Sequence, residues 1–369
     1  MQFSCTKKEL SDAVSIVQRA VSSKSSLPAL EGILLKTDFD GLKLFSYDLE
    51  LGMYTKVNAS VQQPGEIVIN AKIFSDLVRK LPGERVEIKT DDKFLISIVS
   101  GASEFTILGI PSSEFPELPQ LSDGIILKLP QNLLSSMIKQ TIFAISTDDS
   151  KPIHTGSLFE IKDGSLRVVS VDGFRLALRI EKIRCDKEMK FVVPGKTLSE
   201  IYKMLDDEKD DELSISIGKK HVLFEINSFF IISRLLEGEF LDYNNVLSGQ
   251  TSGEVKVMVR EFSESIDRAS LLISDRLKSP VRCIFERDRI KIKCSTSIGR
   301  IYDEVPCKLS GEPLEIGFNN RYLIDALRVT ECDEIKILLN GPLSPMKIYP
   351  ADSESFIFLV LPVRLKTDE

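Results

Sequence analysis

The sequence predicts an α+β protein built from three tandem copies of one domain. A six-residue pattern (apolar, any, acidic, apolar, apolar, basic) occurs at 74–79 and returns at 198–203 and 323–328, so the repeat is about 124 residues long. A second pattern, Leu10-Ser11 followed by Val14, recurs at 134–138 and 262–266. A repeat of this length is much longer than a solenoid unit and can hold a core of its own.

The first repeat begins with an amphipathic helix. Thr6 can cap its start, and Leu10, Val14 and Val17 follow at spacings that place them on one helix face. A second helix of the repeat stops at Leu81-Pro82-Gly83, which helices rarely continue through. Over the whole chain, helices are predicted at 6–21, 71–80, 131–145, 195–205, 259–272 and 319–329.

Short strands follow each helix. The runs 33–36 and 42–46 are joined by Asp40-Gly41, two residues that favour turns. Further strands of the first repeat are predicted at 67–70, 86–89, 95–99 and 105–108. Because the order recurs, each domain is expected to have two helices and about eight strands in antiparallel sheets, with the helices on one face.

Proline- and acid-rich connectors mark the domain borders. The connector at 111–119 closes the first repeat, and the segment 237–243 has the equivalent place in the second. We therefore expect domains at 1–121, 122–249 and 250–369.

The composition is that of an ordinary soluble globular protein, with 43% hydrophobic and 28% charged residues. No apolar run approaches the roughly 18 residues of a membrane span, and the N-terminus lacks the apolar region of a signal peptide. A cytoplasmic protein without a membrane association is expected. Its six cysteines form no CxxC pair, so neither a zinc site nor a disulfide framework is predicted.

The charges are unevenly distributed. A net charge of −7 argues against a protein that adheres to nucleic acid by charge alone. The six predicted helices nevertheless contain 13 Lys and Arg against 8 Asp and Glu, so they are positive in an otherwise acidic chain. In the 71–80 helix the predicted buried residues are Phe74, Leu77, Val78 and Leu81, and the predicted outward ones are Lys72, Ser75, Arg79 and Lys80. Ordinary solvated helix faces remain an alternative explanation.

Motifs for catalysis are sparse. His154 and His221 are the two histidines, and neither has a recognisable catalytic context. The chain contains no GxGxxG or GxxxxGK[ST] phosphate-binding loop. The acidic run 206–212 could hold a metal ion, but its position after a predicted helix favours a solvated loop. We expect no cofactor and no metal.

Several short segments together resemble the bacterial DNA polymerase III beta subunits, the beta sliding clamps. They are 27–30 (LPAL), 48–50 (DLE), 171–177 (VDGFRLA), 240–243 (FLDY), 314–319 (LEIGFN) and 361–365 (LPVRL). Each is weak alone, but their order and spacing cover nearly the whole chain. The resemblance implies a non-enzymatic DNA sliding clamp, in which two copies join head to tail into a closed ring whose helices face the DNA.

The resemblance implies three sets of functional residues. DNA-facing residues would be Lys24, Lys72, Arg79, Lys80, Lys196, Lys203, Arg268 and Arg328. The dimer interface would join Phe105 and Ile107 of one copy to Leu271 and Leu272 of the other. A peptide-binding pocket would be lined by Gly173, Phe174, Arg175, Leu176, Leu241, Val246, Tyr322, Met346, Val360, Leu361, Pro362 and Val363. For the last two sets, ordinary core packing is the alternative.

The sequence departs from the family at the pocket. The family commonly has Thr at the position of Val171, His at that of Phe174 and Pro at that of Leu241, which leaves the peptide preference open. The chain also continues past the usual end, with the polar residues 366–369, which could lie across the pocket mouth.

The resemblance also implies the partners. They are double-stranded DNA without sequence preference, a second copy of the chain, the replicative DNA polymerase and a clamp loader. Other DNA polymerases, ligase and mismatch-repair proteins would bind through short linear motifs. The alternatives are a monomeric peptide-binding scaffold and a hydrolase that uses His154.

Overall fold

The computed structural model describes residues 1–22, 24–121, 124–185, 187–208, 210–249, 251–273 and 279–365. These residues form 25 β-strands and seven α-helices. The first repeat contains β1 (Gln2–Thr6), α1 (Lys7–Val17), β2 (Gly32–Asp38), β3 (Gly41–Tyr47), β4 (Leu51–Val57), β5 (Ala59–Gln63), β6 (Gly65–Asn70), α2 (Ala71–Lys80), β7 (Arg85–Thr90), β8 (Leu95–Ser100) and β9 (Ser103–Leu108).

The second and third repeats follow the same order of elements, except that among the described residues both lack a separate counterpart of β5 and that the second ends in an additional short helix. The second contains β10 (Ile125–Pro130), α3 (Gln131–Lys139), β11 (Gly156–Lys162), β12 (Ser165–Val171), β13 (Arg175–Lys182), β14 (Met189–Pro194), α4 (Gly195–Tyr202), β15 (Glu212–Ile217), β16 (His221–Ile226), β17 (Phe229–Arg234) and the short α5 (Tyr243–Leu247). The third contains β18 (Gly253–Met258), α6 (Val259–Ser270), β19 (Val281–Phe285), β20 (Arg289–Thr296), β21 (Gly299–Ser310), β22 (Leu314–Phe318), α7 (Asn320–Arg328), β23 (Glu334–Leu339), β24 (Met346–Pro350) and β25 (Phe356–Val360).

The chain forms two compact units. The first comprises 1–132 and 203–235 and holds two antiparallel sheets, ordered β5-β1-β7-β8-β9 and β10-β15-β16-β17-β4-β3-β2-β6. The second comprises 133–202 and 236–369 and holds one sheet, ordered β14-β11-β12-β13-β25-β24-β23-β18-β21-β20-β19-β22. The predicted combination of helices with antiparallel sheets is confirmed.

Within each unit a sheet passes from one repeat into the next. In the first unit β17 pairs with β4, so Phe229 lies opposite Thr55. In the second unit β25 pairs with β13, so Val360 lies opposite Arg175. We call these the first and second sheet junctions. They connect neighbouring repeats through backbone hydrogen bonds as well as through the chain itself.

Among the counterparts of the four junction strands, two are left without a junction partner. β9 is the counterpart of β17 and β25 in the first repeat, and it lies at the edge of its sheet. β21 is the counterpart of β4 and β13. Within the described residues, its positions 299–306 pair with β20 alone, and only 307–310 also pair with β18.

The helices pack through the predicted apolar faces. Leu10, Val14 and Val17 of α1 and Phe74 and Val78 of α2 belong to one buried cluster with the strands of the first repeat. An equivalent cluster in the third repeat contains, among others, Phe262, Ile266, Leu323 and Leu327. Side chains cap three of these helices: Thr6 accepts the N–H of Glu9, Asn70 that of Ile73, and Asn319 that of Arg321.

Three details of the predicted helices are wrong. Ser75 is buried rather than outward, since its small hydroxyl fits under the helix, and Leu77 is only half-buried. The helix predicted over 131–145 ends at Lys139, because the Thr141 hydroxyl donates to the Met137 carbonyl and the chain continues as a 3₁₀ turn at Ile142–Ala144. The predicted helix over 71–80 is confirmed at both ends.

Among the described residues, no helix is long and apolar enough to cross a membrane. The same residues contain no group of three or more His, Cys, Asp or Glu side chains placed to hold a metal ion.

Candidate functional site

The basic residues predicted to face DNA are all exposed: Lys24, Lys72, Arg79, Lys80, Lys196, Lys203, Arg268 and Arg328. Six lie on the helices α2, α4, α6 and α7, while Lys203 directly follows α4 and Lys24 is in the loop after α1. In α2 the same spacing that buries Phe74 and Val78 points Lys72 and Lys80 outward.

The three arginines of this set already have acidic neighbours. Arg79 pairs with Asp76 one turn earlier, and Arg328 lies 3.5 Å from Asp267. The Nη2 atom of Arg268 lies 2.6 Å from a carboxylate oxygen of Asp303 on β21. Exposed pairs of this kind contribute only about 0–1 kcal/mol. The guanidinium groups of Arg79 and Arg328, whose pairs are exposed, can therefore exchange a carboxylate for a phosphate at little energetic cost.

Asp303 is the best-held of these carboxylates. Partial burial acts to raise its pKa, but hydrogen bonds from Arg268 and Ser265 outweigh burial and leave the pKa below its usual value. Asp303 is therefore ionised at neutral pH and fixes the Arg268 side chain against β21.

Arg175 organises the predicted peptide-binding residues. Its Nε lies 2.9 Å from an oxygen of Asp172, and its Nη1 lies 2.5 Å from an oxygen of Asp325 on α7. The guanidinium carbon is 4.7 Å from the centre of the Tyr322 ring, within the range of a cation–π contact. Phe174 stacks on the other side of this cluster, with 5.9 Å between its ring centre and that of Tyr322.

A turn before β13 presents Phe174 to solvent. Asp172 accepts the backbone N–H groups of Phe174 and Arg175, and Gly173 between them has a φ of +89°, which favours glycine. The Phe174 side chain is 57% exposed, and its carbonyl accepts the N–H of Leu361. The turn thus joins the loop before β13 to the segment after β25.

The other predicted pocket residues fall into two groups. Leu176, Met346 and Val360 are buried, so they can form only the floor of a binding surface. Val246 and Leu361 are half-buried against the apolar cluster that contains Leu176. Pro362 is also half-buried, and Val363 is exposed.

Leu241 is exposed and lines a cavity to which none of these floor residues contributes. The cavity has a volume of about 350 Å³, and Leu241 is the one predicted pocket residue among those that line it. The structure therefore brings together Phe174, Arg175, Tyr322 and Leu361, with Leu241 on the rim of a separate depression.

The predicted dimer-interface residues lie at the two leftover strand edges. Phe105 on β9 is 42% exposed, and Ile107 is partly covered by the core of the first repeat. Leu271 follows α6 and is exposed, while Leu272 lies beside Gly299, the first residue of β21. Residues 274–278 and the tail 366–369 lie outside the described residues.

The histidines and buried cysteines are structural. The ring of His154 packs edge-on against Phe240 at 5.3 Å, and burial, followed by the charge of Lys151, lowers its pKa. Burial, followed by the charges of Arg234 and Lys220, likewise lowers the pKa of His221. Burial raises the pKa of the Cys5 thiol to about 12 and also raises that of Cys283, so neither provides a thiolate at neutral pH.

Sequence reasoning missed a polar cluster at the second sheet junction. Glu160 is buried, receives a hydrogen bond from the Tyr243 hydroxyl, and lies 2.7 Å from Lys190 and 3.4 Å from Arg167. Burial and the bond to Glu160 raise the pKa of Tyr243 to about 12. No local sequence pattern links these residues. When the connector at 237–243 is aligned with the connector of the first repeat, Tyr243 falls at the position of Leu118.

The chain matches all three domain models of the DNA polymerase III beta subunit. The N-terminal domain matches at 1–119, the central domain at 128–242 and the C-terminal domain at 245–364. This chain belongs to the DNA polymerase III beta subunit family. The beta sliding clamp of Bacillus subtilis is 34% identical over 377 residues, which cover 99% of this chain and 100% of that protein.

Solved structures of the family have the same fold. The crystal structure of the Bacillus subtilis DNA polymerase sliding clamp is 34% identical, with a TM-score of 0.96 and coverage of 99% and 100% of the two chains. The beta subunit of Thermotoga maritima is 29% identical, with a TM-score of 0.91 and the same coverage.

Membership of the family excludes one of the alternatives from the sequence. The chain consists of three tandem clamp domains and acts as a DNA sliding clamp for the processivity of DNA polymerase III. It is not an enzyme, so the hydrolase alternative is wrong.

Proposed function

We propose that two copies of this chain close head to tail into a ring that encircles duplex DNA and slides along it. The observation that carries this proposal is the pair of leftover edges, β9 and the first half of β21. Each repeat has one strand of each kind, and the two sheet junctions already join the others. An interface that uses two different surfaces forms a closed ring when the rotation between copies allows it.

The two internal junctions supply the register of the proposed interface. Positions 51–55 of β4 and 175–179 of β13 pair with their neighbours, and the equivalent positions of β21 are 299–303. Applied to β9, the same register places Phe105 opposite Ile301 or Tyr302. Leu271 and Leu272, at the end of α6, then cover this pair of strands from one side.

In the ring, the exposed basic residues of α2, α4, α6 and α7, with Lys24 and Lys203, face the phosphate backbone. Backbone contacts carry no sequence information, and their strength falls as salt rises because bound counterions are released. The chain's net charge of −7 suits this function. Topology rather than affinity retains the ring, and weak contacts allow it to slide.

The cluster of Phe174, Arg175 and Tyr322 serves as the docking surface for partner peptides. An exposed aromatic ring beside a well-held guanidinium offers both an apolar contact and hydrogen-bond donors, as linear motifs require. The replicative polymerase and the clamp loader would bind here, and so would other DNA polymerases, ligase and mismatch-repair proteins. We also propose domain borders after residues 121 and 249, and a cytoplasmic location.

Retention on circular and linearised plasmid tests the ring. The protein is loaded by a clamp loader on a nicked circle, separated from free protein in moderate salt, and followed after the circle is cut. Retention on the circle with loss after cutting supports topological tethering. Equal retention on both forms would mean surface binding. A mass in solution near 41.4 kDa rather than twice that would favour the monomeric scaffold.

A further inference from the structure

The first sheet junction has an unusual outer face. Opposite the helices, Leu34, Phe45, Tyr54 and Phe230 lie side by side on adjacent strands. The ring centres of Phe45 and Tyr54 are 5.5 Å apart, and those of Tyr54 and Phe230 are 4.6 Å apart with nearly parallel planes. All four side chains are half-exposed, so this apolar row is only partly covered.

A row of three lysines runs beside the aromatic row. Lys43 lies opposite Lys36 on β2 and opposite Lys56 on β4. Like charges directly opposite each other destabilise a sheet. Lys36 and Lys43 have carboxylate neighbours, Glu66 at 3.3 Å and Asp38 at 2.9 Å. Lys56 is exposed and forms no ion pair with any residue that the structure describes. Its ammonium group is therefore accessible to an acidic ligand.

The connector at 112–121 forms a wall beside the two rows. It encloses with them a cavity of about 1060 Å³ in the first unit. Small-molecule sites have volumes of roughly 300–1,000 Å³. The groove therefore has room for a short peptide, whose chain can lie across the sheet while one side chain enters.

The second sheet junction is an internal control, because there the same positions are filled. Leu158, Val169, Leu178 and Ile357 occupy the positions of the aromatic row. The first three are buried, and Ile357 is partly buried against them. The aromatic ring of Tyr243 packs in the cluster that contains the first three. Its counterpart at the first junction is the smaller Leu118, in a connector that leaves the groove open.

The charges differ in the same way. The counterparts of Glu66, Lys36 and Lys43 are Lys190, Glu160 and Arg167, and the position of Lys56 is taken by the uncharged Ile180. As described above, Glu160 bonds to both neighbouring cations and to the Tyr243 hydroxyl. The second junction is thus neutralised by its own chain and keeps only a smaller cavity of about 350 Å³, which Leu158, Lys190 and Tyr243 line. The first offers both a larger apolar space and a cation.

We propose that the groove at the first sheet junction binds a short peptide of a partner protein, with an aromatic residue and an acidic residue two positions apart. The aromatic side chain takes the place that Tyr243 has at the second junction. Tyr54 and Lys56 are two residues apart on one strand, about 7 Å at the usual rise per residue. An extended peptide has the same spacing between its residues i and i+2, so its carboxylate reaches Lys56.

The packing of the rings favours a peptide over single-stranded nucleic acid. Nucleic-acid bases bind by stacking on exposed aromatic faces. Here Tyr54 stacks between Phe45 and Phe230, so its faces are covered and its edge points into the groove. The ring edges and the leucine methyl groups that line the groove can pack against an aromatic side chain that inserts between them.

Fluorescence anisotropy of the full-length protein tests the proposal. The probe is a fluorescein-labelled Gly-Ser-Tyr-Ser-Asp-Ser-Gly peptide. Lys56→Glu should weaken its binding about five- to tenfold, because an exposed attraction becomes a repulsion. A probe with Lys in place of Asp should bind this variant better than the unaltered protein. Leu118→Tyr should abolish binding, because it places a phenol in the groove as Tyr243 does at the second junction.

Two controls locate the probe. Lys89→Glu changes an exposed strand lysine of another sheet, and it should alter the affinity less than about twofold. Phe174→Ala alters the proposed partner surface of the second unit and should leave binding of the probe unaffected. A failure of the groove to bind the probe can therefore be distinguished from a failure of the proposed function. Equal affinity of the unaltered, Lys56→Glu and Leu118→Tyr proteins would overturn the proposal. So would tighter, Lys56-dependent binding of oligo(dT).

Discussion

Phe105 gives the most direct test of ring closure, through the substitution Phe105→Ala. The side chain is 42% exposed in the single copy. Complete burial of a phenylalanine removes about 200 Å² from water, so the proposed interface covers about 85 Å² of it. At about 25 cal/mol per Å² this contributes about 2 kcal/mol. A ring of two chains contains the contact twice, so the variant should lose about 4 kcal/mol, or about a thousandfold in the dimer Kd.

Sedimentation over a range of protein concentrations measures this Kd. Phe39→Ala is the matched control, because Phe39 is 83% exposed in a hairpin turn away from β9. It should leave the Kd unchanged. Far-ultraviolet circular dichroism establishes that both variants are folded. A dimer Kd for Phe105→Ala within about threefold of the unaltered protein would refute both the interface and the area argument.

Three further predictions concern the second unit and the helices. Arg175→Ala should lower the free energy of unfolding in guanidinium chloride by about 3 kcal/mol, since it leaves the partly buried Asp172 without its charged partner. Burial acts to raise the pKa of Glu160, but hydrogen bonds from Lys190 and Tyr243 leave it below the usual 4.5. The stability it contributes is therefore present above pH 4.5 and is lost as the pH falls through the lower folded pKa, and Glu160→Gln should show a smaller loss in acid-unfolding curves. Replacing both Lys72 and Lys80 by Ala should reduce the slope of log K for DNA against log salt by about 2.

Each of these predictions has a control. Arg260→Ala removes an exposed pair with Glu264 and should change the free energy of unfolding by less than about 1 kcal/mol; an equal effect of both arginine substitutions would contradict the special position of Arg175. If acid curves of Glu160→Gln and the unaltered protein have the same shape, the depressed pKa is not a source of stability. Lys219→Ala with Lys220→Ala, in a strand turn, should leave the salt slope intact.

The repeat made the fold predictable. Helix α2 was predicted at both ends, because its apolar spacing and the Pro82 after it agree. Ser75 was misplaced because polarity alone suggested an outward side chain, whereas a small hydroxyl group can be buried under a helix. The early end of α3 depends on one hydroxyl bond from Thr141, which periodicity does not reveal.

The candidate sites were predictable to different degrees. Helix periodicity is local, so it correctly predicted exposure of the basic residues. Contacts between distant positions are not local: the bonds from Arg268 to Asp303 and from Arg175 to Asp325 depend on tertiary packing. The groove of the first junction was missed for the same reason, because its aromatic and lysine rows exist only once the strand register is known.

The sheet junctions also bear on where a closed ring can be opened. Two of the three kinds of strand pairing join segments of one polypeptide, and a short tether keeps such partners at an effective concentration in the millimolar range. Strands β4 and β17, or β13 and β25, therefore re-pair quickly after a fluctuation. In the proposed ring, the pairing of β9 with β21 of a second copy is tethered only through the other, identical seam, so dilution opposes its re-formation once both seams have opened. An opening machine would need to act only at one of these two seams, because the other strand pairings lie within one polypeptide.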